Sequence, residues 1–138
     1  MNIYDDVFGA LTGAWKATDT LKSYDIYEEY PGKNQELPLR NVHITVGLDS
    51  AHMTGADGLS INDGAIYGTA VIRANICVPK TKSGAQCIRI FEQMSKATRD
   101  ISSSYEVVKI ESDPIRYDSS IGGLVLTARI SISCKLYN

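Results

Sequence analysis

Residues 124 to 137 read Leu-Val-Leu-Thr-Ala-Arg-Ile-Ser-Ile-Ser-Cys-Lys-Leu-Tyr, and the fold follows from their alternation. Leu124, Leu126, Ala128, Ile130, Ile132, Cys134 and Leu136 occupy every second position, with Val125, Thr127, Arg129, Ser131, Ser133, Lys135 and Tyr137 between them. Successive side chains of a strand point to opposite faces, so this unbroken period of two predicts one long strand with a single dry face. At roughly 3.3 Å per residue it would span about 40 Å, which implies that part of it serves neighbouring molecules.

Working back from that strand, Ile121-Gly122-Gly123 supplies glycines that can take the positive φ of a tight reversal. Tyr105 to Glu111 reads as the preceding strand, followed by a loop containing Pro114. Ala65 to Val78 places Ile66, Ala70, Ile72, Ala74, Ile76 and Val78 on one face and Tyr67, Thr69, Arg73 and Asn75 on the other, and Pro79, which cannot donate to a ladder, ends it. Val42, Ile44, Val46 and Leu48 alternate with His43, Thr45 and Gly47, the pattern of a half-buried strand. A shorter strand over Tyr24 to Tyr30 closes at Pro31-Gly32, a polar loop runs through Glu36, and Pro38 restarts extended chain. Asp49 to Gly64, rich in small and turn-forming residues, reads as a projecting loop.

Two stretches follow the helical period instead. From Ile3 to about Leu21, Val7, Leu11, Ala14, Trp15 and Thr18 form one stripe, weakened by Gly9 and Gly13. Ser83-Gly84-Ala85-Gln86 has the form of a capping box, with the hydroxyl and the amide each able to satisfy a free backbone N–H. Cys87, Phe91, Met94, Thr98 and Ile101 then recur at helical steps, Ile88 and Ile90 widen the stripe, and Ser102 to Ser104 end the helix. Together these elements predict an α+β chain: one domain over residues 1–138, with a mixed, mainly antiparallel sheet and helices packed on one face.

Composition narrows the function classes. Lys and Arg number 14 against 16 Asp and Glu, so the chain lacks the broad positive field of a nucleic-acid binder. No stretch approaches the roughly 18 apolar residues of a membrane span, and Asp5 and Asp6 stand where a secretory leader would be basic, so the expectation is a protein that stays where it is made. Cys77, Cys87 and Cys134 are odd in number, have no close partner and sit among apolar residues, as buried thiols of a reducing compartment do.

The residues suggest no catalytic group, cofactor or metal ligand. His43 and His52 have no nearby cysteine and read as ordinary surface or loop histidines. Asp57 and Asp63 bracket a glycine-containing loop but lack the oxygen spacing and terminal Glu of a calcium loop, which makes them turn formers. Cys87 near a helix start reads as a packing thiol, and Ser102 to Ser104 have no paired His and carboxylate to make a nucleophile. The eight tyrosines, each an apolar body with a polar tip, suit subunit contacts first and the rim of a core second. Arg73, Arg129 and Lys135 lie on polar strand faces, either pairing with acids of a neighbour or solvated.

The order of these segments carries a resemblance. A helix opening with Ile3-Tyr4-Asp5-Asp6-Val7 precedes the proline-led strand Leu37-Pro38-Leu39-Arg40-Asn41-Val42-His43-Ile44-Thr45-Val46-Gly47-Leu48. A later strand, Ala70 to Pro79, leads into the Gly84 to Ile101 helix, and a Tyr117-Asp118 turn region leads into the final strand. In that layout, over nearly the whole chain, the protein resembles the tail-terminator or tail-completion proteins of long-tailed phages and of contractile phage-tail-like bacteriocins. The resemblance implies a hexameric ring of this chain that caps the head-proximal end of the tail tube, stops its polymerisation and meets the collar or connector protein, and the last sheath ring where the tail contracts. It implies assembly in the bacterial cytoplasm and then residence in the particle, no enzymatic role, no direct nucleic-acid recognition and no membrane. Contacts would fall on the projecting loop and the polar strand faces, through Asp57, Asp63, Tyr67, Arg73, Arg129, Lys135 and Tyr137. The alternatives are a head–tail connector or collar component, and a small-molecule-binding domain, which would require a pocket with converging polar groups.

Overall fold

The computed structural model describes residues 3–28, 41–54, 66–101 and 105–137; within these, the side chains of 3–6, 28, 52–54, 66–67 and 134–137 are outside the description. The elements run α1 (Ile3–Lys16), β1 (Asp25–Glu28), β2 (His43–Thr54), β3 (Ile66–Pro79), α2 (Gly84–Thr98), β4 (Tyr105–Ser112), β5 (Arg116–Asp118) and β6 (Gly123–Tyr137). The strands form one sheet in the order β1-β2-β3-β6-β4, with β5 also paired to β6. Only the β1–β2 pair is parallel among these pairings, so the expected mixed, mainly antiparallel α+β architecture is the one observed.

The alternating segment is an interior strand of the sheet, between β3 and the β4–β5 edge. β6 pairs with β3 from Pro79↔Gly123 to Ile66↔Tyr137, and its other edge takes β4 and then β5. Because β3 and β4 both run antiparallel to β6, they are parallel to each other. β3-α2-β4 is therefore a crossover unit with β6 inserted between its strands. The reversal before β6 uses Gly122 at φ 65°, a conformation glycine takes without the Cβ clash of other residues.

One hydrophobic cluster joins both helices to one face of the sheet. It contains Val7, Leu11 and Trp15 of α1, Cys87, Ile90, Met94 and Ala97 of α2, and Ile44, Ala70, Ile72, Ala74, Ile76, Leu126, Ala128, Ile130 and Ile132 of the strands. The Trp15 indole donates to Thr98 Oγ1 at 3.0 Å, which ties the helices together inside the core. Among the described residues no helix is long and apolar enough to cross a membrane.

Several local expectations are corrected. α1 ends at Lys16 rather than near Leu21; a series of turns, including Thr18 N–H to Trp15 O and Leu21 N–H to Thr18 O, carries the chain to β1 while still burying Leu21. The capping box does not close: Ser83 is the N-cap residue without a side-chain cap bond, and the Gln86 amide donates to the Tyr24 hydroxyl instead. Ile88, expected to widen the buried stripe, is exposed. From Val42 to Gly47 the chain is buried on both faces, because His43, Thr45 and Gly47 are buried along with Val42, Ile44 and Val46, whereas Leu48, expected on the apolar face, is exposed. The region around Tyr117 is a short strand, β5, that continues the edge begun by β4 after a break at Asp113-Pro114-Ile115.

The projecting loop expected from Asp49 begins later than expected, because β2 continues to Thr54. Its register with β3 shifts between Leu48↔Ile72 and Ser50↔Val71, so Asp49 is the extra residue of a bulge. Past it, Ala51 stands opposite Ala70 and the alternation resumes one residue out of phase. Residues 55–65, including Asp57 and Asp63, lie outside the described residues.

Cys77 and Cys87 are buried free thiols, as expected. Burial pushes the Cys77 thiol up to about 11, against the lowering effect of Arg116, and burial also raises Cys87. The thiolate is the reactive form, so at about pH 8 Cys77 should alkylate on the order of a hundredfold more slowly than an unperturbed thiol, and Cys87 should also be slowed. Iodoacetamide labelling followed by peptide mass mapping checks this. Rapid labelling of either residue in the folded protein would contradict the buried placement.

Candidate interaction face of the sheet

The sheet face turned away from the helices carries three cross-strand rows, each fixed by register. Gly47, Arg73, Arg129 and Glu111 align across β2, β3, β6 and β4; Thr45, Asn75 and Thr127 align in the next row; His43, Cys77 and Val125 align in the third.

The first row is charged and internally neutralised. The bulge presents Asp49 to both arginines: Arg73 Nη1 donates to Asp49 Oδ1 at 2.7 Å, and Arg129 Nε lies 3.6 Å from Asp49 Oδ2. Arg129 Nη1 also donates to Asp113 Oδ1 at 2.8 Å. That hydrogen bond, aided by the charges of Asp113, Asp49 and Glu111, holds the Arg129 guanidinium protonated to still higher pH than usual. Guanidinium and carboxylate form charge-assisted bonds of defined direction, so the row sets side-chain positions across β2, β3, β6 and the β4–β5 break.

The second row is a hydrogen-bonded relay through Thr127. Thr127 Oγ1 donates to Asn75 Oδ1 at 2.7 Å and accepts from Arg116 Nη1 at 3.0 Å. Thr127 is 4% exposed, so these bonds satisfy a hydroxyl that burial would otherwise penalise.

The third row is close-packed. Cys77 and Val125 form a second small cluster with Ile121, and the His43 ring stacks on Tyr27 with centroids 5.4 Å apart at 25°. His43 is 5% exposed, and neither ring nitrogen has a hydrogen-bond partner among the described residues. This corrects the reading of His43 as a surface histidine. Burial, followed by the Asp25 charge and hydrogen bond, raises the Tyr27 phenol. At the edge, the hydroxyl and backbone N–H of Ser120 hold the Asp118 carboxyl below its usual range.

Of the residues singled out from sequence, Arg73 and Arg129 are brought together, and each pairs with acids of its own chain, Asp49 for both and Asp113 for Arg129. Tyr67 pairs with Lys135 and Ile66 with Tyr137 at the far end of the β3–β6 ladder, where their side chains are outside the description. Sequence reasoning missed Asp49, Asp113, Arg116 and Thr127. The signal for Asp49 was an alternation that breaks after Leu48 and resumes at Ala51, the mark of one inserted residue. Among the described residues no group of three His, Cys, Asp or Glu side chains is placed to hold a metal ion.

No protein-family model matches this chain, and comparison with curated proteins likewise finds no match.

Proposed function

We propose that this chain is a structural subunit that closes into a ring, as the tail-terminator proteins it resembles do, capping the head-proximal end of a tail tube and joining it to a collar or connector. The observation that carries this reading is the reach of the central strands. β2 continues eight residues past Val46 to Thr54, and the β3–β6 ladder runs without interruption of pairing from Pro79↔Gly123 through Gly68↔Cys134 to Ile66↔Tyr137. Leu48, Asp49, Ser50 and Ala51 are all exposed on this extension. This ribbon of β2, β3 and β6, flanked by β4 as far as Cys134, is held by backbone hydrogen bonds and offers a shaped surface for a neighbouring subunit. If successive head-to-tail contacts rotate the chain by a constant angle that closes, the result is a ring with no equivalent edge for further growth.

Native mass measurement of the purified chain is expected to show a closed oligomer, a hexamer on the family resemblance. Leu48→Asp, which places a charge on the exposed ribbon, is expected to shift that oligomer to monomer with unchanged far-UV circular dichroism. A wild-type chain that remains monomeric at tens of micromolar, or particles lacking it that keep tubes of normal length, would remove the proposal.

A further inference from the structure

A cleft of about 200 Å³ opens between the turns that follow α1 and the outward side of α2. Its floor is apolar, made by Leu21 and Ile90, which are 0% and 3% exposed. Its α2 wall presents Gln86, Arg89 and Gln93, spaced by three and four residues and therefore on one side of the helix. Tyr24 and Thr20 close the opposite side.

The hydrogen-bond inventory of this cleft is lopsided. The Gln86 Nε2 donates to Tyr24 Oη at 3.3 Å, so the phenol accepts and its own proton is left for another acceptor. Thr20 Oγ1 donates to Gln93 Oε1 at 3.3 Å, which leaves the two Gln93 amide protons. Arg89 is exposed, contributes donors and no acceptor, and has no ion pair among the described residues. No described residue lining the cleft is acidic. Unspent donors and one cation therefore rim an apolar floor. A cavity of roughly 150 Å³ holds a benzene, so a cleft of this volume takes a group of side-chain size.

We propose that this cleft binds a carboxylate carried on a small aliphatic group, with the carboxylate at Arg89 and Gln93, the Tyr24 hydroxyl as a further donor, and the aliphatic part on Leu21 and Ile90. A phosphate ester fits less well, since the wall offers a single positive charge above a greasy floor. The chemistry is the same for a free amino-acid-like carboxylate and for the C-terminal end of a partner polypeptide. The site stands apart from the ribbon and does not depend on the ring reading.

The test is a titration of the full chain with N-acetyl-leucine, following the side-chain amide resonances of Gln86 and Gln93 by NMR. Saturable shifts of both are expected at millimolar concentration. N-acetyl-leucinamide should bind about tenfold more weakly, because it replaces the charged acceptor with a neutral one. Arg89→Gln should weaken N-acetyl-leucine by a similar factor, and Gln93→Glu should abolish its binding; both positions lie at the rim, so the fold is retained, checked by circular dichroism. Ala-Ala-Ala-Leu with a free C-terminus binding more tightly than N-acetyl-leucine would assign a chain end as the natural source. Equal affinity would assign a free small carboxylate. Absence of saturable shifts, equal binding of the amide, or an unaltered affinity in Gln93→Glu would each overturn the proposal.

Discussion

Replacing Trp15 by alanine is expected to lower the unfolding free energy by about 3–5 kcal/mol, the range for emptying a large buried aromatic site. Trp15 is fully buried in the single cluster that joins α1, α2 and the sheet. Its indole N–H donates to Thr98 Oγ1, and that hydroxyl donates in turn to Met94 O at 2.7 Å, so the indole is hydrogen-bonded as well as packed. Thr98→Val keeps the shape but strands a buried indole donor, a cost of about 1–3 kcal/mol. Trp15→Phe in the Thr98→Val background should then cost less than Trp15→Phe alone, because no donor remains to strand. Urea unfolding followed by far-UV circular dichroism measures the four variants against the wild type. Additive effects of the two substitutions would mean that the indole bond contributes nothing.

Asp49→Asn is expected to cost about 1–2 kcal/mol, the lower part of the range for hydrogen bonds to charged groups, reduced because the side chains involved are 26–31% exposed and partly screened. Arg73 and Arg129 stand directly opposite each other on β3 and β6, a like-charge pair that opposes strand association unless a counter-charge lies between them. Asp49 is that counter-charge. The loss should shrink at molar salt, as screening weakens both the attraction removed and the repulsion exposed. Arg73→Gln introduced into Asp49→Asn should recover part of the stability, whereas in the wild-type background it should destabilise. A cost below about 0.5 kcal/mol for Asp49→Asn, with no rescue, would show the row to be ornament rather than support.

The fold was legible wherever one face of an element is apolar. The alternation of Leu124 to Leu136 identified the long strand β6, and the stripes through Val7, Leu11 and Trp15 and through Cys87 and Met94 located both helices. What escaped depends on contacts distant in sequence. The bulge at Asp49 looked like a loop start because one added residue inverts the period, and only pairing with β3 shows the strand continuing. The burial of His43 depends on Tyr27, which a parallel β1–β2 register brings near and which no local pattern encodes. The capping box at Ser83 was plausible locally but lost to the Tyr24 hydroxyl, 62 residues distant in the chain. The candidate face was half legible. Arg73 and Arg129 were picked by their strand parity, while Asp49, Asp113, Arg116 and Thr127 emerged only once neighbouring strands were aligned.

The interior position of β6 bears on how the protein comes into being at the ribosome. Its two edges are the pairing partners of β3 on one side and of β4 and β5 on the other, so β4 and β5 have no strand to join to the sheet until Gly123–Tyr137 has been synthesised. Everything translated earlier must wait with the β3 edge bare and the apolar sides of α1 and α2 lacking much of their floor. Such a chain gains its structure late and at once, and during that wait it is open to chaperones and to mispairing with other nascent copies.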